Sequence, residues 1–190
     1  EKLIPGLNKN TSAALVESLK DRDPFDRAIS AEVLGRIKEK KSVQDLISAL
    51  SDTSKYVREK AVVALGLIAD RSAVPSLMEA LRDESEEVRV TAAGVLGHLK
   101  DRMAVPALCE ALKDPSSVTR MKAAISLGIL GSPIAVEPLF KILSDDNEFV
   151  RRYAAEALGR IGRPAVPALL KALKDERIRA HVAQAITNIK

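Results

Sequence analysis

Residues 150–169 read VRRYAAEALGRIGRPAVPAL. The first half puts Val150, Ala154, Leu158 and Ile161 on one side of a helix, at spacings of three and four. The second half, Ala165-Val166-Pro167-Ala168-Leu169, opens a shorter apolar segment. Its proline sits in a first helical turn, where a missing N–H costs little.

The same wording returns upstream. Residues 57–77 read VREKAVVALGLIADRSAVPSL, and residues 88–108 read VRVTAAGVLGHLKDRMAVPAL. The glycine of the Leu-Gly pair recurs as Gly35, Gly66, Gly97, Gly128 and Gly159, each 31 residues after the last. The leucine after the Val-Pro start recurs as Leu15, Leu46, Leu77, Leu108, Leu139 and Leu169, four times at 31 and once at 30. The last copy has Thr187 at the glycine position, 28 residues on; one residue is lost before Val166 and two before Ile178. Self-similarity at such a period is the signature of a repeat architecture.

Each copy predicts a short helix followed by a longer one, with nothing that reads as a strand or a linker. Ala73–Leu81 is one short helix, with Val74, Leu77, Met78 and Leu81 on one face; Glu86–Leu99 is one long helix. Copies span residues 8–38, 39–69, 70–100, 101–131, 132–162 and 163–190, in a single domain. Leu3, Ile4 and Leu7 precede the first copy. They suggest the end of a preceding helix, or self-association through the N-terminal end.

A glycine inside a helix costs about 1 kcal/mol relative to alanine. Its recurrence at one position therefore needs a compensating gain, and close approach of a neighbouring helix supplies one. Charges recur too: Asp21, Asp52, Asp83, Asp114, Asp145 and Asp175, with Arg27, Arg58, Arg89, Arg120 and Arg151 each six residues later and Arg179 four later. A repeated residue with a repeated partner reads as an Asp–Arg ladder joining successive copies, in preference to a row of phosphate ligands.

Val150-Arg151, Ala154-Ala155, Leu158-Gly159, Ile161 and Ala165-Val166-Pro167 together resemble the HEAT-like repeat named for phycobilin lyases. That resemblance covers nearly the whole chain. It implies an all-α fold, a right-handed α-α superhelix (α-solenoid) of six HEAT-like two-helix repeats. It also implies that the second helix of each pair lines the concave face.

Positions that vary between copies are the ones free to serve function. On the second helices they form a stripe at helical spacing, ending in Arg177, Ala180, His181, Gln184 and Asn188. The candidate partner-binding residues come from this stripe: Phe25, Tyr56, Lys60, Val63, Leu67, Val90, His98, Met121, Lys122, Ile125, Ile129, Phe149, Arg152, Tyr153 and Arg160. Four of the five aromatic residues and both histidines lie on the stripe, and apolar surface ringed by charge marks partner sites. The competing reading packs Phe25, Tyr56, Val118 and Phe149 against the next copy.

Composition narrows the function further. The chain is 46% hydrophobic and 29% charged, with net charge +4. Along the stripe, Arg and Lys are balanced by Glu32, Glu59, Glu86, Glu87, Glu148, Glu156 and Glu176, so no electrostatic groove for nucleic acid is expected. The basic turn at Arg36, Lys38, Lys40 and Lys41 is the one alternative for that ligand. Apolar runs fall short of the roughly 18 residues of a membrane span. The single Cys109 allows no internal disulfide or CxxC zinc pair, and it occupies a slot held elsewhere by Val16, Ile47, Met78, Phe140 and Leu170. That slot reads as core.

Motifs for nucleotide binding or serine hydrolysis are missing from the sequence. Deoxyhypusine hydroxylase, a similar solenoid, uses His-Glu iron ligands; here His98 precedes Leu99 and His181 precedes Val182. The expectation is a non-enzymatic, cytoplasmic scaffold for a protein or peptide partner, with no metal, cofactor or membrane association. A bilin lyase or lyase-chaperone subunit is the alternative the resemblance offers.

Overall fold

The structure is a computed structural model, and it describes residues 9–189. Leu3, Ile4 and Leu7 lie outside them. Twelve α-helices and no strand occur among the described residues. They alternate short and long, as the repeat predicts. The first helices are α1 (Lys9–Ser18), α3 (Val43–Ala49), α5 (Val74–Glu79), α7 (Val105–Ala111), α9 (Val136–Lys141) and α11 (Val166–Ala172). The second helices are α2 (Pro24–Arg36), α4 (Lys55–Ile68), α6 (Glu86–Leu99), α8 (Ser117–Leu130), α10 (Glu148–Ile161) and α12 (Arg179–Thr187).

By backbone contacts the chain divides into two compact units, residues 1–95 and 96–190, with the division inside α6. Within the first unit α2 packs on α4, and α3 on α4. Within the second, α8 packs on α10 and α10 on α12, flanked by α7, α9 and α11. In both units the leucines that mark the period form the core. Leu34, Leu46, Leu65 and Leu77 are fully buried in the first; Leu108, Leu127, Leu139, Leu158 and Leu169 are so in the second. The slot of Cys109 is corrected by the structure. Val16, Ile47, Met78, Cys109 and Phe140 are only half-buried, and Leu170 is 54% exposed. The first helices are too short to bury more than one face, so this flank stays partly wet.

The internal glycines sit where neighbouring second helices touch. A Cβ on Gly35 would lie 2.5 Å from the Cα of Ala64, and one on Gly128 would lie 2.9 Å from the Cα of Ala157. On Gly66 it would meet both γ-methyls of Val95 at 2.8 Å, and on Gly97 the Ser126 side chain. Each glycine thus faces the residue two places before the next copy's glycine.

Five of the six second helices, α12 excepted, are followed by a residue of positive φ. Lys38, Ala69, Lys100, Gly131 and Gly162 all have positive φ, between 54° and 83°. They stand 31 residues apart. A left-handed residue after the last turn satisfies helical carbonyls that would otherwise be orphaned; here Ala69 N–H donates to Leu65 O, and Gly131 N–H to Leu127 O. A short 3-10 turn then starts the next first helix, capped in three copies by Glu39, Asp70 and Asp101 accepting from the N–H two residues on. The short helix expected over Ala73–Leu81 therefore begins one residue later, at Val74.

The Asp–Arg ladder is formed. In the first unit the Arg27 guanidinium grips Asp52 through Nε and Nη2, both at 2.7 Å, and Arg58 grips Asp83 at 2.7 and 2.8 Å. In the second unit Arg120 grips Asp145 in the same way. Each arginine also donates from Nη1 to the backbone carbonyl of the aspartate in its own copy, as Arg58 does to Asp52 O at 2.9 Å. Each such aspartate accepts in turn from an N–H two residues on, which fixes the turn. Burial works against ionisation at Asp52, Asp83 and Asp145. The guanidinium and backbone donors outweigh it, and all three carboxyls lie below their ordinary range.

The ladder stops at Arg151. Its Nη1 reaches Asp145 O, but its buried Nε has no hydrogen-bond partner among the described residues. Asp175, its counterpart by spacing, is held by Arg177 at 2.8 Å instead. Arg177 takes the place two residues after the aspartate that Ser54, Ser85 and Asn147 hold in other copies, and its long side chain folds back onto that carboxylate.

Candidate functional site

The variable stripe can be followed within each unit. In the first, Phe25 and Tyr56 occupy the same place in the opening turns of α2 and α4, 69% and 66% exposed. They do not pack under the next copy. Leu67 is exposed at the end of α4, while Lys60, Val63 and Val90 are half-buried. Ala28 of α2 is buried with Ala49, Val57 and Ala61.

Ion pairs tie these helices together across the face. Lys60 Nζ lies 2.6 Å from Glu32 between α4 and α2, and Lys55 Nζ lies 2.9 Å from Glu87 between α4 and α6. The Lys60 hydrogen bond holds the Glu32 carboxyl below its usual range. Glu87 is held down to about 2, first by the Ser85 hydroxyl and then by Lys55. Lys55 also stands 5.5 Å from the Tyr56 ring centroid. On this unit, then, the charges largely satisfy each other and the Phe25 and Tyr56 rings stay exposed.

In the second unit His98 is exposed near the end of α6. On α8, Met121, Lys122 and Ile125 are half-buried and Ile129 is exposed. On α10, Phe149 is 58% exposed, Arg152 and Arg160 are exposed, and Tyr153 is half-buried with the Arg152 guanidinium 5.5 Å from its ring centroid. Beside them a cleft of about 390 Å³ opens between α10 and α12. Arg152, Glu156 and Arg160 form one wall and His181, Gln184 and Asn188 the other; Gly159 and Ala185 make the floor. Arg160 is paired with Glu156 at 2.8 Å, and the Gln184 amide donates to Asn188 Oδ1 at 3.3 Å. A shallower apolar notch adjoins it, lined by Ile125, Tyr153 and Ala157, with Glu156 and Arg160 common to both.

Residues 12–87, 74–152 and 136–190 each match the family model of HEAT repeats. The chain belongs to the HEAT-repeat family. No curated protein sequence matches it. Among solved structures it is similar to YibA of Escherichia coli, at 23% identity and TM-score 0.74 over 99% of this chain and 71% of that one. It is similar to the complex of CpcE and CpcF of phycocyanin lyase from Nostoc, at 25% identity and TM-score 0.53 over 100% and 98%. A computationally designed armadillo repeat protein for modular peptide recognition aligns at 20% identity and TM-score 0.63 over 93% and 99%.

Of the fifteen stripe residues singled out from the sequence, the second unit brings Ile125, Tyr153, Arg152 and Arg160 to its cleft and notch. The first unit pairs Phe25 with Tyr56 by position. Glu156, His181, Gln184 and Asn188 were read as stripe residues but not as site residues. The signal that could have found them is the shortened final HEAT repeat. Its second helix, α12, has nine residues where α4, α6, α8 and α10 have fourteen. Small and polar side chains on so short a helix fill less of the space beside α10.

Among the described residues no group of three or more His, Cys, Asp or Glu is placed to hold a metal ion. Nor is any helix there long and apolar enough to cross a membrane. Cys109 is half-buried, and burial pushes its thiol up, away from the reactive thiolate.

Proposed function

We propose that the protein is a non-catalytic scaffold in the cytoplasm that binds a protein or peptide partner on the surface of its second helices. One observation carries this reading: residues that escape the repeat are also the exposed large apolar ones on that surface. Phe25, Ile29, Tyr56 and Leu67 do so in the first unit, and Val118, Ile129 and Phe149 in the second. Folding leaves these side chains unburied, so their hydrophobic free energy remains available to a partner. Likeness to a designed peptide-recognition protein supports the reading by fold alone.

Affinity capture should compare the parent protein with Tyr56→Ala/Leu67→Glu and with Ile129→Glu/Phe149→Ala. All four positions are exposed, so far-UV circular dichroism and melting should be unchanged. A partner retained by the parent and lost from either variant is the expected result. Equal recovery on all three proteins refutes the scaffold reading.

A second reading rests on the likeness to phycocyanin lyase, which spans the whole chain. It makes the protein a bilin lyase or lyase-chaperone subunit. Mixing with free bilin should then shift the pigment's absorbance; an unchanged spectrum removes it.

A further inference from the structure

The cleft between α10 and α12 differs from the second-helix surface of the first unit. There the cations Arg36, Lys55 and Lys60 are matched. In the first unit Lys60 and Lys55 each meet a carboxylate on a neighbouring helix. The cleft is lined by two guanidiniums, Arg152 and Arg160, and one carboxylate, Glu156, which pairs with Arg160. That pair lies along one helix and half in solvent. Such pairs are weak and readily exchanged. Only Nη2 of Arg160 is engaged with Glu156, so most of the five donors of that guanidinium remain to be used. Arg152 stands over the Tyr153 ring with its donors likewise unspent. Gln184 and His181 line the opposite wall.

Chemistry of this kind selects a carboxylate. Arginine forks match it in two-point geometry, and the neutral amides can bond its second oxygen without adding charge. The adjoining notch of Ile125, Tyr153 and Ala157 is apolar, and it shares Glu156 and Arg160 with the cleft. An occupant therefore meets an apolar pocket and a cationic one side by side. A nucleic acid would need an unbroken row of cations along the face; on α10, Arg152 and Arg160 are interleaved with Glu148 and Glu156.

Resting on the scaffold reading above, we propose that the second unit recognises an extended segment of a partner protein by an acidic side chain placed next to an apolar one. The acid enters the α10–α12 cleft between Arg152 and Arg160, and the apolar side chain enters the notch against Ile125 and Tyr153.

The test is selection of a random displayed-peptide library on the immobilised full chain, run in parallel on the parent and on Arg152→Gln/Arg160→Gln. Both arginines are exposed, and matched melting curves would show that the variant is folded. On the parent, Asp or Glu beside an aliphatic or aromatic residue should be enriched about tenfold, the size of effect that one charge-assisted contact supplies. On the variant the acidic preference should vanish while the apolar preference stays. Enriched peptides without an acid, or an acid preference that the variant retains, overturn the proposal and leave the scaffold reading standing. Enrichment of no peptide at all counts against both.

Discussion

Replacing Gly66 with alanine inserts one methyl group between α4 and α6. The new Cβ would lie 2.8 Å from each γ-methyl of Val95, where ordinary contact begins at 3.4 Å, so each must retreat by about 0.6 Å. Valine is stiff at χ1 in a helix, and the strain falls on the helix packing. Overpacking of this kind costs about 1–3 kcal/mol, and the better helix propensity of alanine returns about 1 kcal/mol. The expected result is a net loss of up to about 2 kcal/mol. Val95→Ala removes both offending methyls and leaves its Cβ at 3.4 Å. In that background Gly66→Ala should be neutral or stabilising, a coupling of about 1–2 kcal/mol. Gly35→Ala behaves differently, because its Cβ would meet the Cα of Ala64 at 2.5 Å. Trimming Ala64 to glycine leaves that backbone atom in place and should rescue nothing. Urea denaturation followed by far-UV circular dichroism reads all six variants. Additive effects of Gly66→Ala and Val95→Ala, or a Gly66→Ala protein as stable as its parent, would refute the close-approach explanation.

Three further outcomes follow from single sites. Thr119 is fully buried with its hydroxyl unpartnered among the described residues, at a position held by Val57, Val88 and Val150; Thr119→Val should raise stability by about 1 kcal/mol, and an unchanged urea midpoint would contradict this. Ala69 holds a left-handed φ of 59° that glycine adopts freely; Ala69→Gly should stabilise by roughly 0.5–1 kcal/mol by the same assay, against the usual effect of glycine. Arg58 and Asp83 are 7% and 10% exposed in their side chains, so Arg58→Met, which strands a buried carboxylate, should cost about 3–5 kcal/mol. The same pair sets a pH dependence. Asp83 is lowered in the folded chain, so its contribution is complete above the unfolded value of about 3.9 and is lost as pH falls through the folded one. Urea midpoints measured across the acid range should decline below about pH 4, less steeply in Arg58→Met.

The period was legible because Leu65, Gly66 and their counterparts carry it in residue identity. The close contact behind the glycine was legible as a need, but not its partner. Val95, Ser126 and Ala157 lie 29 residues on and share only modest size. The left-handed helix ends escaped notice because Lys38, Ala69 and Lys100 adopt them as well as Gly131 and Gly162, and the side chain does not advertise the backbone. The Asp–Arg ladder could be read from its spacing, whereas the orphaned Nε of Arg151 depends on Asp175 turning to Arg177 in three dimensions. Exposure of Phe25, Tyr56 and Phe149 sets aside the reading that packs them against the next copy, a choice that one-dimensional spacing leaves open. The α10–α12 cleft is a product of where α12 starts, and no local pattern of α10 announces it.

The glycine contact has a consequence for how such a chain can grow. Within the second unit the fourth and fifth copies carry both halves of the joint; in the fourth, Gly128 receives the next helix and Ser126 fits the previous one. A duplicated stretch of DNA would deliver donor and acceptor together, already in register. The new copy would dock on either side without a compensating mutation, and a deleted copy would leave two surfaces that still match. Length in this lineage is therefore open to change by recombination alone, while the variable second-helix positions diverge afterwards, copy by copy.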